Sequence, residues 1–232
     1  MMTPQYRNEA TARALEIYPD AGERQEARGE RNLYPILKRT VDILGSTFGL
    51  LALIPLFTVV AIAIKWEDPK GPVFFSQTRI GKNGKPFRIY KFRSMCVDAE
   101  EKLKNMRELN SISGPMFKIK QDPRITKVGH FIRKTSIDEL PQFLNVLIGN
   151  MSLVGPRPSS AWEVDQYTNH DRKRLTVTPG CTGLWQISGR NELGFREMLE
   201  LDLAYIERKC IWNDFKIMLK TVKIMFSSKG AY

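Results

Sequence analysis

Residues 43–64 read Ile-Leu-Gly-Ser-Thr-Phe-Gly-Leu-Leu-Ala-Leu-Ile-Pro-Leu-Phe-Thr-Val-Val-Ala-Ile-Ala-Ile, a run of 22 residues without a charge. At about 1.5 Å per residue, a helix of this length covers roughly 33 Å, enough for the hydrocarbon core of a bilayer. The stretch before it is too long and too polar for a signal peptide, and no small-residue cleavage site follows. A helix that is apolar on every side rarely serves as a soluble core helix, so the residues predict membrane insertion. Pro55 sits mid-segment, where it removes a helix hydrogen bond and clashes with the carbonyl of Leu51, which predicts a kink. The basic flanks are balanced: Arg24, Arg28, Arg31, Lys38 and Arg39 before, and Lys65, Lys70, Arg79, Lys82 and Lys85 after. Such flanks favour neither orientation. They fit a helix that enters, bends and returns to the same side, and they fit a kinked spanning helix equally.

The chain of 232 residues has room for one domain with a real core, plus appendages. It carries 36 Lys+Arg against 25 Asp+Glu, a formal net charge of +11. That balance implies an anionic partner: acidic lipid, phosphorylated substrates or nucleic acid, of which the last rests on charge alone and ignores the apolar run. Cys96, Cys181 and Cys210 are widely spaced and form no CxxC, which argues against a disulfide framework or a zinc knuckle. With His130 and His170 the only histidines, a histidine-built metal site is not expected. Walker A, GxGxxG and HExxH patterns are absent, which sets aside those nucleotide and zinc chemistries.

Around the apolar run the chain divides into a polar arm (1–32), the membrane helix (33–66), a catalytic-sized domain (67–226) and a short tail (227–232). Val73–Phe75 and Phe87–Arg93 read as strands of a small hairpin around the Gly81–Gly84 turn. Helices are expected over Ala99–Asn110, Pro141–Ile148 (stopped by Gly149-Asn150), Ser160–Leu175, Glu192–Lys209 and Trp212–Phe226. In the last, Lys216, Lys220 and Lys223 alternate with Phe215, Ile217, Leu219, Ile224 and Phe226. Such a helix suits a membrane interface or simply packs on the core. The expected fold class is α+β, mainly helical, with a minor β element.

Between Gln77 and Val97 the charges are all basic: Arg79, Lys82, Lys85, Arg88, Lys91 and Arg93. Phe87, Tyr90 and Phe92 interleave with them, so part of the run is held against a core and suits phosphate binding. Arg124, Arg157 and Arg190 recur in turns built with Gly or Pro, where a cation loses little entropy on binding an anion. The acidic counterpart is Ser136-Ile137-Asp138-Glu139-Leu140-Pro141. Ser136 and Glu139 fit a capping box. Pro141, better placed in a first turn, instead favours Asp138 near the cap. Either register puts both carboxylates at a positive helix end among cations, with Asp138 ionised at neutral pH. An ionised carboxylate can attack phosphorus while its neighbour holds a divalent cation.

Taken in order, these segments resemble the monotopic phosphoglycosyl transferases, the bacterial sugar transferase family of glycan-priming enzymes. The resemblance runs from about Tyr34 to Phe226. It is carried by Lys38-Arg39-Thr40-Val41-Asp42, Gln77-Thr78-Arg79-Ile80-Gly81, Tyr90-Lys91-Phe92-Arg93-Ser94-Met95, Asp122-Pro123-Arg124-Ile125-Thr126 and Ser136 to Gln142. It continues through Met151 to Pro158, Pro179-Gly180-Cys181-Thr182-Gly183 and Ser188-Gly189-Arg190-Asn191. The resemblance implies a re-entrant membrane helix, interfacial amphipathic helices and a place on the cytoplasmic face of the bacterial inner membrane. It implies a two-step transfer of a phosphosugar from a UDP-sugar to polyprenyl (undecaprenyl) phosphate. Asp138 is then the nucleophile, Glu139 the ligand of Mg²⁺, and Lys91, Arg93, Arg157 and Arg190 the phosphate-binding cations. Dimers occur among family members, so a homodimer is retained as a partner; nucleic acid is not. Gly114-Pro115-Met116-Phe117-Lys118-Ile119-Lys120 resembles members serving exopolysaccharide or O-antigen pathways, which favours a hexose. Two departures stand out. Family members break the membrane helix at Ser-Pro, where this chain has Ile54-Pro55 and no hydroxyl to satisfy a freed carbonyl. Larger members add a bundle of membrane helices ahead of the arm, so the expectation is the minimal form. The rival readings are a non-catalytic basic scaffold and a one-step transferase with several membrane spans.

Overall fold

The computed structural model describes residues 30–104, 122–189 and 193–226. The apolar run forms two helices, α1 (Glu30–Ala52) and α2 (Ile54–Glu67), bent by 58° at their junction. Pro55 stands in the first turn of α2, the position where its missing N–H costs least. Leu53 lies between the helices; its amide donates to the Gly49 carbonyl at 3.0 Å, and the Phe57 amide resumes the ladder on Leu53 at 2.8 Å. The Thr58 hydroxyl donates to the Ile54 carbonyl at 3.0 Å, so a hydroxyl reaches the break from the far side. Among the described residues no single helix is long and apolar enough to cross a membrane; the bent pair is, by length and composition.

The faces of α1 are inverted relative to a soluble amphipathic helix. Asp42 and Ser46 are buried, and Gly45 and Gly49 lie against the side chains of Leu153 and Phe143. Leu44, Phe48 and Leu51 point away from the protein, Phe48 with 74% of its surface exposed. Small and polar residues of α1 thus face the protein and large apolar ones face outward.

Three side chains of Lys38-Arg39-Thr40-Val41-Asp42 tie α1 to the domain. Lys38 pairs with Asp214 at 2.7 Å and donates to the Val154 carbonyl at 2.9 Å. Arg39 donates to the carbonyls of Val146 and Leu147 at 2.7 and 2.8 Å, satisfying the end of a short helix. The Asp42 carboxylate accepts from Ser152 Oγ and the Leu153 amide. Two of the basic groups counted as membrane flanks are therefore internal contacts.

The hairpin forms where expected, as β1 (Phe74–Ile80) and β2 (Pro86–Phe92), antiparallel in the register Phe74↔Phe92 to Ile80↔Pro86. A short helix α3 (Ala99–Lys104) follows; the remainder of the helix expected to Asn110 lies outside the described residues. Next come α4 (Lys127–Lys134), the 3₁₀ turn Ile137–Glu139, α5 (Gln142–Leu147), β3 (Ser152–Val154), α6 (Ala161–Asp165) and the 3₁₀ turn Asp171–Thr176. The described chain closes with β4 (Gly180–Thr182), α7 (Phe195–Glu207) and α8 (Ile211–Phe226). Mainly helical with small sheets, the chain is α+β as its patterning implied.

Other expectations are corrected. The single helix over Ser160–Leu175 is split at Gln166, because Asp171 and Thr168 bond each other's backbone and start a separate turn. The α4 helix and the parallel pairing of β3 with β4 (Ser152↔Gly180, Val154↔Thr182) were not anticipated. Each β3–β4 strand is three residues long, too short for an alternating signal. α8 packs on the core through the buried Ile217, while Trp212, Phe215, Leu219 and Val222 form an exposed apolar stripe. The main core joins α7 and α8 through Leu201, Ala204, Tyr205 and Ile217, with Val154 and Leu184 beneath. Each large apolar side chain buried there contributes about 1.5–3 kcal/mol.

Candidate active site

The site is assembled where β2 meets the segment 136–147. Side chains directly opposite in an antiparallel pair share a face, so the register places Arg79 (with Phe87) and Lys91 (with Phe75) on the same side of the hairpin. Asn145, fully buried on α5, holds that hairpin to the acidic segment. Its Nδ2 donates to the Arg88 carbonyl at 2.7 Å and its Oδ1 accepts from the Tyr90 amide at 2.9 Å, completing the open edge of β2. This contact brings Lys91 to Glu139, Nζ to Oε1 at 2.5 Å.

The capping box expected at Ser136 and Glu139 does not form. Ser136 has φ +57° and makes no side-chain cap; Asp138 and Glu139 occupy the 3₁₀ turn, and Pro141 precedes α5. Glu139 turns to Lys91 instead, because a full charge at hydrogen-bonding distance outweighs one backbone amide. Asp138 is 8% exposed, and its carboxylate meets no side-chain donor among the described residues. Burial raises its carboxyl to about 6; Lys91 and Arg133 pull down against that, and Glu139 adds to the rise. The carboxyl is therefore raised by burial rather than lowered by a helix end, and its value of about 6 still lies below neutral pH. Glu139 behaves oppositely. Desolvation pushes it up, yet Lys91, through charge and hydrogen bond, then Arg157 and Arg79, hold it below the ordinary glutamate value.

Two further predicted cations face this pair. Arg157 follows β3 and donates from Nη1 to Glu163 Oε1 at 3.3 Å. Glu163 in turn closes a capping box with Ser160 at the start of α6, so the motif anticipated at Ser136 occurs here. Arg79 is half-buried; burial and the neighbouring charge of Arg157 lower it to about 10, while Glu163 and Glu139 oppose the shift. It remains a cation. Cys181 of β4 lies in the same field, its thiol raised by burial and by Glu139 and Asp42.

Arg93 is placed elsewhere. Its guanidinium is buried on the carboxylate of Asp68 at 2.6 Å and on the Asp68 carbonyl at 2.8 Å, where it secures the end of α2. Gly71 leaves the room it needs: a Cβ there would stand 1.6 Å from Arg93 Nη1. Arg124 likewise engages Asp122, at 2.6 Å. Arg190 lies outside the described residues. Asn145 and Glu163 escaped the sequence reading; only Ser160-x-x-Glu163 carried a local signal that could have found one of them.

The structure thus sets a buried, open carboxylate beside a second carboxylate that Lys91, Arg157 and Arg79 surround; of the four cations that the resemblance implied, Lys91 and Arg157 are at this pair, and Arg79 joins them from the basic run. The Bacterial sugar transferase description matches residues 33–228, most of the sequence. The chain belongs to that family. Within it, the chain is 51% identical over 199 residues to the galactosyl transferase CpsE of Streptococcus agalactiae serotype III, covering 84% of this chain and 43% of that protein. It is 43% identical over 205 residues to the UDP-glucose:undecaprenyl-phosphate glucose-1-phosphate transferase of Escherichia coli, covering 85% and 42%. It is 37% identical over 212 residues to the exopolysaccharide production protein ExoY of Rhizobium meliloti, covering 90% and 93%. The chain thus spans less than half of the first two relatives and nearly the whole of the third.

Proposed function

We propose that this sugar transferase moves a phosphosugar from a UDP-sugar to polyprenyl phosphate through a covalent intermediate on Asp138. The observation that carries the proposal is the Asp138 carboxylate: buried, unengaged by side-chain donors and set against Lys91 and Glu139. A carboxylate so placed is desolvated enough to be reactive and still ionised at neutral pH. One oxygen of Asp138 attacks the β-phosphorus, and the bond from that phosphorus to the bridging oxygen breaks. UMP leaves with the electron pair, and the phosphosugar stays on Asp138. A polyprenyl phosphate oxygen then attacks the same phosphorus, releasing the Asp138 carboxylate and the polyprenyl diphosphate sugar. Lys91, Arg79 and Arg157 balance charge on the equatorial and bridging oxygens, which is the main demand of phosphoryl transfer. Relatives whose names specify undecaprenyl-phosphate chemistry support this choice of acceptor.

Glu139 fits a divalent cation in part. Lys91 engages its Oε1, and Oε2 is outside that contact. Among the described residues no group of three or more His, Cys, Asp or Glu could hold a metal alone. One carboxylate oxygen together with substrate phosphates is a normal Mg²⁺ arrangement. Bound there, Mg²⁺ would neutralise the phosphate charge of the donor.

The acceptor is a lipid, and the apolar outer face of α1 and α2 supports placement in the membrane. Leu44, Phe48, Leu51, Ile54, Val59 and Ile62 are all exposed to the surroundings of the protein. The 58° bend supports a re-entrant path on the cytoplasmic face. The stripe on α8, flanked by Lys216, Lys220 and Lys223, supports contact with an anionic lipid surface. Purified protein in lipid nanodiscs, given a panel of UDP-hexoses and undecaprenyl phosphate, tests the reading. UMP release that is lost in Asp138→Asn, with a phosphosugar adduct recovered on Asp138 of the wild type, is the expected result. Protein that releases no UMP from any UDP-sugar is a scaffold, and the proposal fails.

A further inference from the structure

Arg174 is 2% exposed and cannot touch a substrate, yet it is among the largest fully buried side chains of the protein. Burying a guanidinium is expensive, and a buried ion pair is a poor route to stability compared with apolar residues of similar size. Its contacts show what it holds. Nη2 bonds both the Asp202 carboxylate and, at 3.1 Å, the backbone carbonyl of Arg157; Nη1 donates to the Tyr167 hydroxyl. Arg174 Nε and Asp202 Oδ1 have no hydrogen-bond partner, so the pair forgoes the closed bidentate fork in order to reach Arg157 and Tyr167. The Tyr167 hydroxyl lies 2.7 Å from Ser159 Oγ, and the Ser159 carbonyl accepts from the Ile80 amide at 2.8 Å, one residue past Arg79. The same guanidinium therefore reaches the backbone bearing Arg157 directly and the strand end bearing Arg79 through two hydroxyls.

The other end of the Arg157 turn is held in the same way. The Val154 carbonyl accepts from Lys38 at 2.9 Å and from Tyr205 at 3.2 Å, and Lys38 is paired with Asp214. Between these ends the Gly155 amide donates to Thr182 and the Gly180 amide to Pro156, both at 2.8 Å. The two glycines pack so closely that a Cβ on Gly180 would lie 2.1 Å from the Gly155 nitrogen.

We infer that Arg174, anchored by Asp202, is a positioning residue that sets where Arg157 presents its guanidinium to the donor diphosphate. The inference rests on the reading of Arg157 as a phosphate-binding cation. Its test is a double-mutant cycle on the full chain in nanodiscs, with Arg174→Lys, Arg157→Ala and the pair. Affinity for UDP is read by calorimetry, kcat/KM by UMP release, and thermal stability in parallel. Arg157→Ala is expected to weaken UDP binding and kcat/KM by on the order of a hundredfold. Arg174→Lys, which keeps the charge on Asp202 but cannot span three acceptors, is expected to cost roughly tenfold in both. In the Arg157→Ala background the Arg174→Lys loss should vanish to within about twofold, while its thermal effect persists. Losses that multiply in the double variant overturn the inference, since Arg174 would then act through general stability. Should Arg174→Lys fail to fold, Asp202→Asn, which weakens the anchor of the Nη2 that also holds the Arg157 carbonyl, carries the same cycle and the same two outcomes. UDP binding without UMP release from any UDP-sugar overturns the proposed function and leaves the cycle readable on affinity. A wild type that does not bind UDP overturns both.

Discussion

Glu67-Asp68 and Asp138-Glu139 are both adjacent acidic pairs, and they meet opposite fates. Glu67 accepts from the backbone amides of Lys127 and Val128 at 2.7 and 2.9 Å, capping α4. Asp68 is taken by Arg93 through carboxylate and carbonyl together. Every strong acceptor of that pair is spent on fixing the end of α2 to the domain. At the other pair only Glu139 has a side-chain donor, Lys91, and Asp138 is buried without one. Carboxylates whose lone pairs are filled by protein donors are fasteners; one left open in a cationic field is chemically available.

The largest effect that can break this contrast is at Asp138 itself. Asp138→Asn should reduce UMP release by at least about a thousandfold, since a carboxamide cannot form the intermediate. The same variant should melt no earlier than wild type, because it removes a buried charge that has no side-chain partner. A variant that keeps a tenth of wild-type turnover would move the nucleophile elsewhere.

Lys91→Met comes next. It should lower kcat/KM by roughly ten- to a hundredfold through lost charge balance. It should also move the acid limb of the pH profile. Lys91 pulls the Asp138 carboxyl down from where burial would put it, so its loss raises the midpoint from about 6 toward neutrality. The activity that survives should therefore need a higher pH than wild type. An acid limb that stays in place would separate Lys91 from Asp138.

At the fastening pair the readout changes from rate to stability. Glu67→Ala removes acceptors for two amides at a helix start and should destabilise by about 1–2 kcal/mol, seen as a lower denaturant midpoint. The folded fraction should keep UMP release within about threefold of wild type. A loss of rate far beyond the loss of fold would make Glu67 part of the chemistry.

The contrast also marks what the residues disclosed and what they withheld. The apolar run, the kink at Pro55 and the hairpin were legible because each rests on local composition: length, a missing N–H and alternation about a glycine turn. The nearness of Lys91 to the acidic pair was available only through motif order, since Asn145, the side chain that brings them together, lies inside an apolar helix. Motif position points Arg93 to the phosphates, but its guanidinium is claimed by Asp68. Arg79, Arg157 and Arg93 look alike in sequence because nothing local tells a guanidinium buried on a carboxylate at a helix end from one facing the acidic pair. Arg174 and Asp202 were invisible for the same reason: 28 residues separate the partners.

The smallest expected effect separates burial from bonding as the origin of the raised Asp138 carboxyl. A carboxyl whose folded value stands at about 6, against an ordinary 3.8, binds its proton more tightly in the folded chain than in the unfolded one. Folding is then penalised at neutral pH, and the penalty lifts as the pH falls through 6. Taking the protein from pH 7 to 5 should bring a gain at this residue on the order of 1 kcal/mol relative to Asp138→Asn, which cannot titrate there. Denaturant melts of the two proteins at both pH values give the difference of differences, in which groups that titrate identically cancel. Had Asp138 been satisfied by donors as Glu67 is, its folded value would be depressed and wild type would lose stability relative to the asparagine variant on acidification. The sign of that small term decides whether Asp138 is open or fastened.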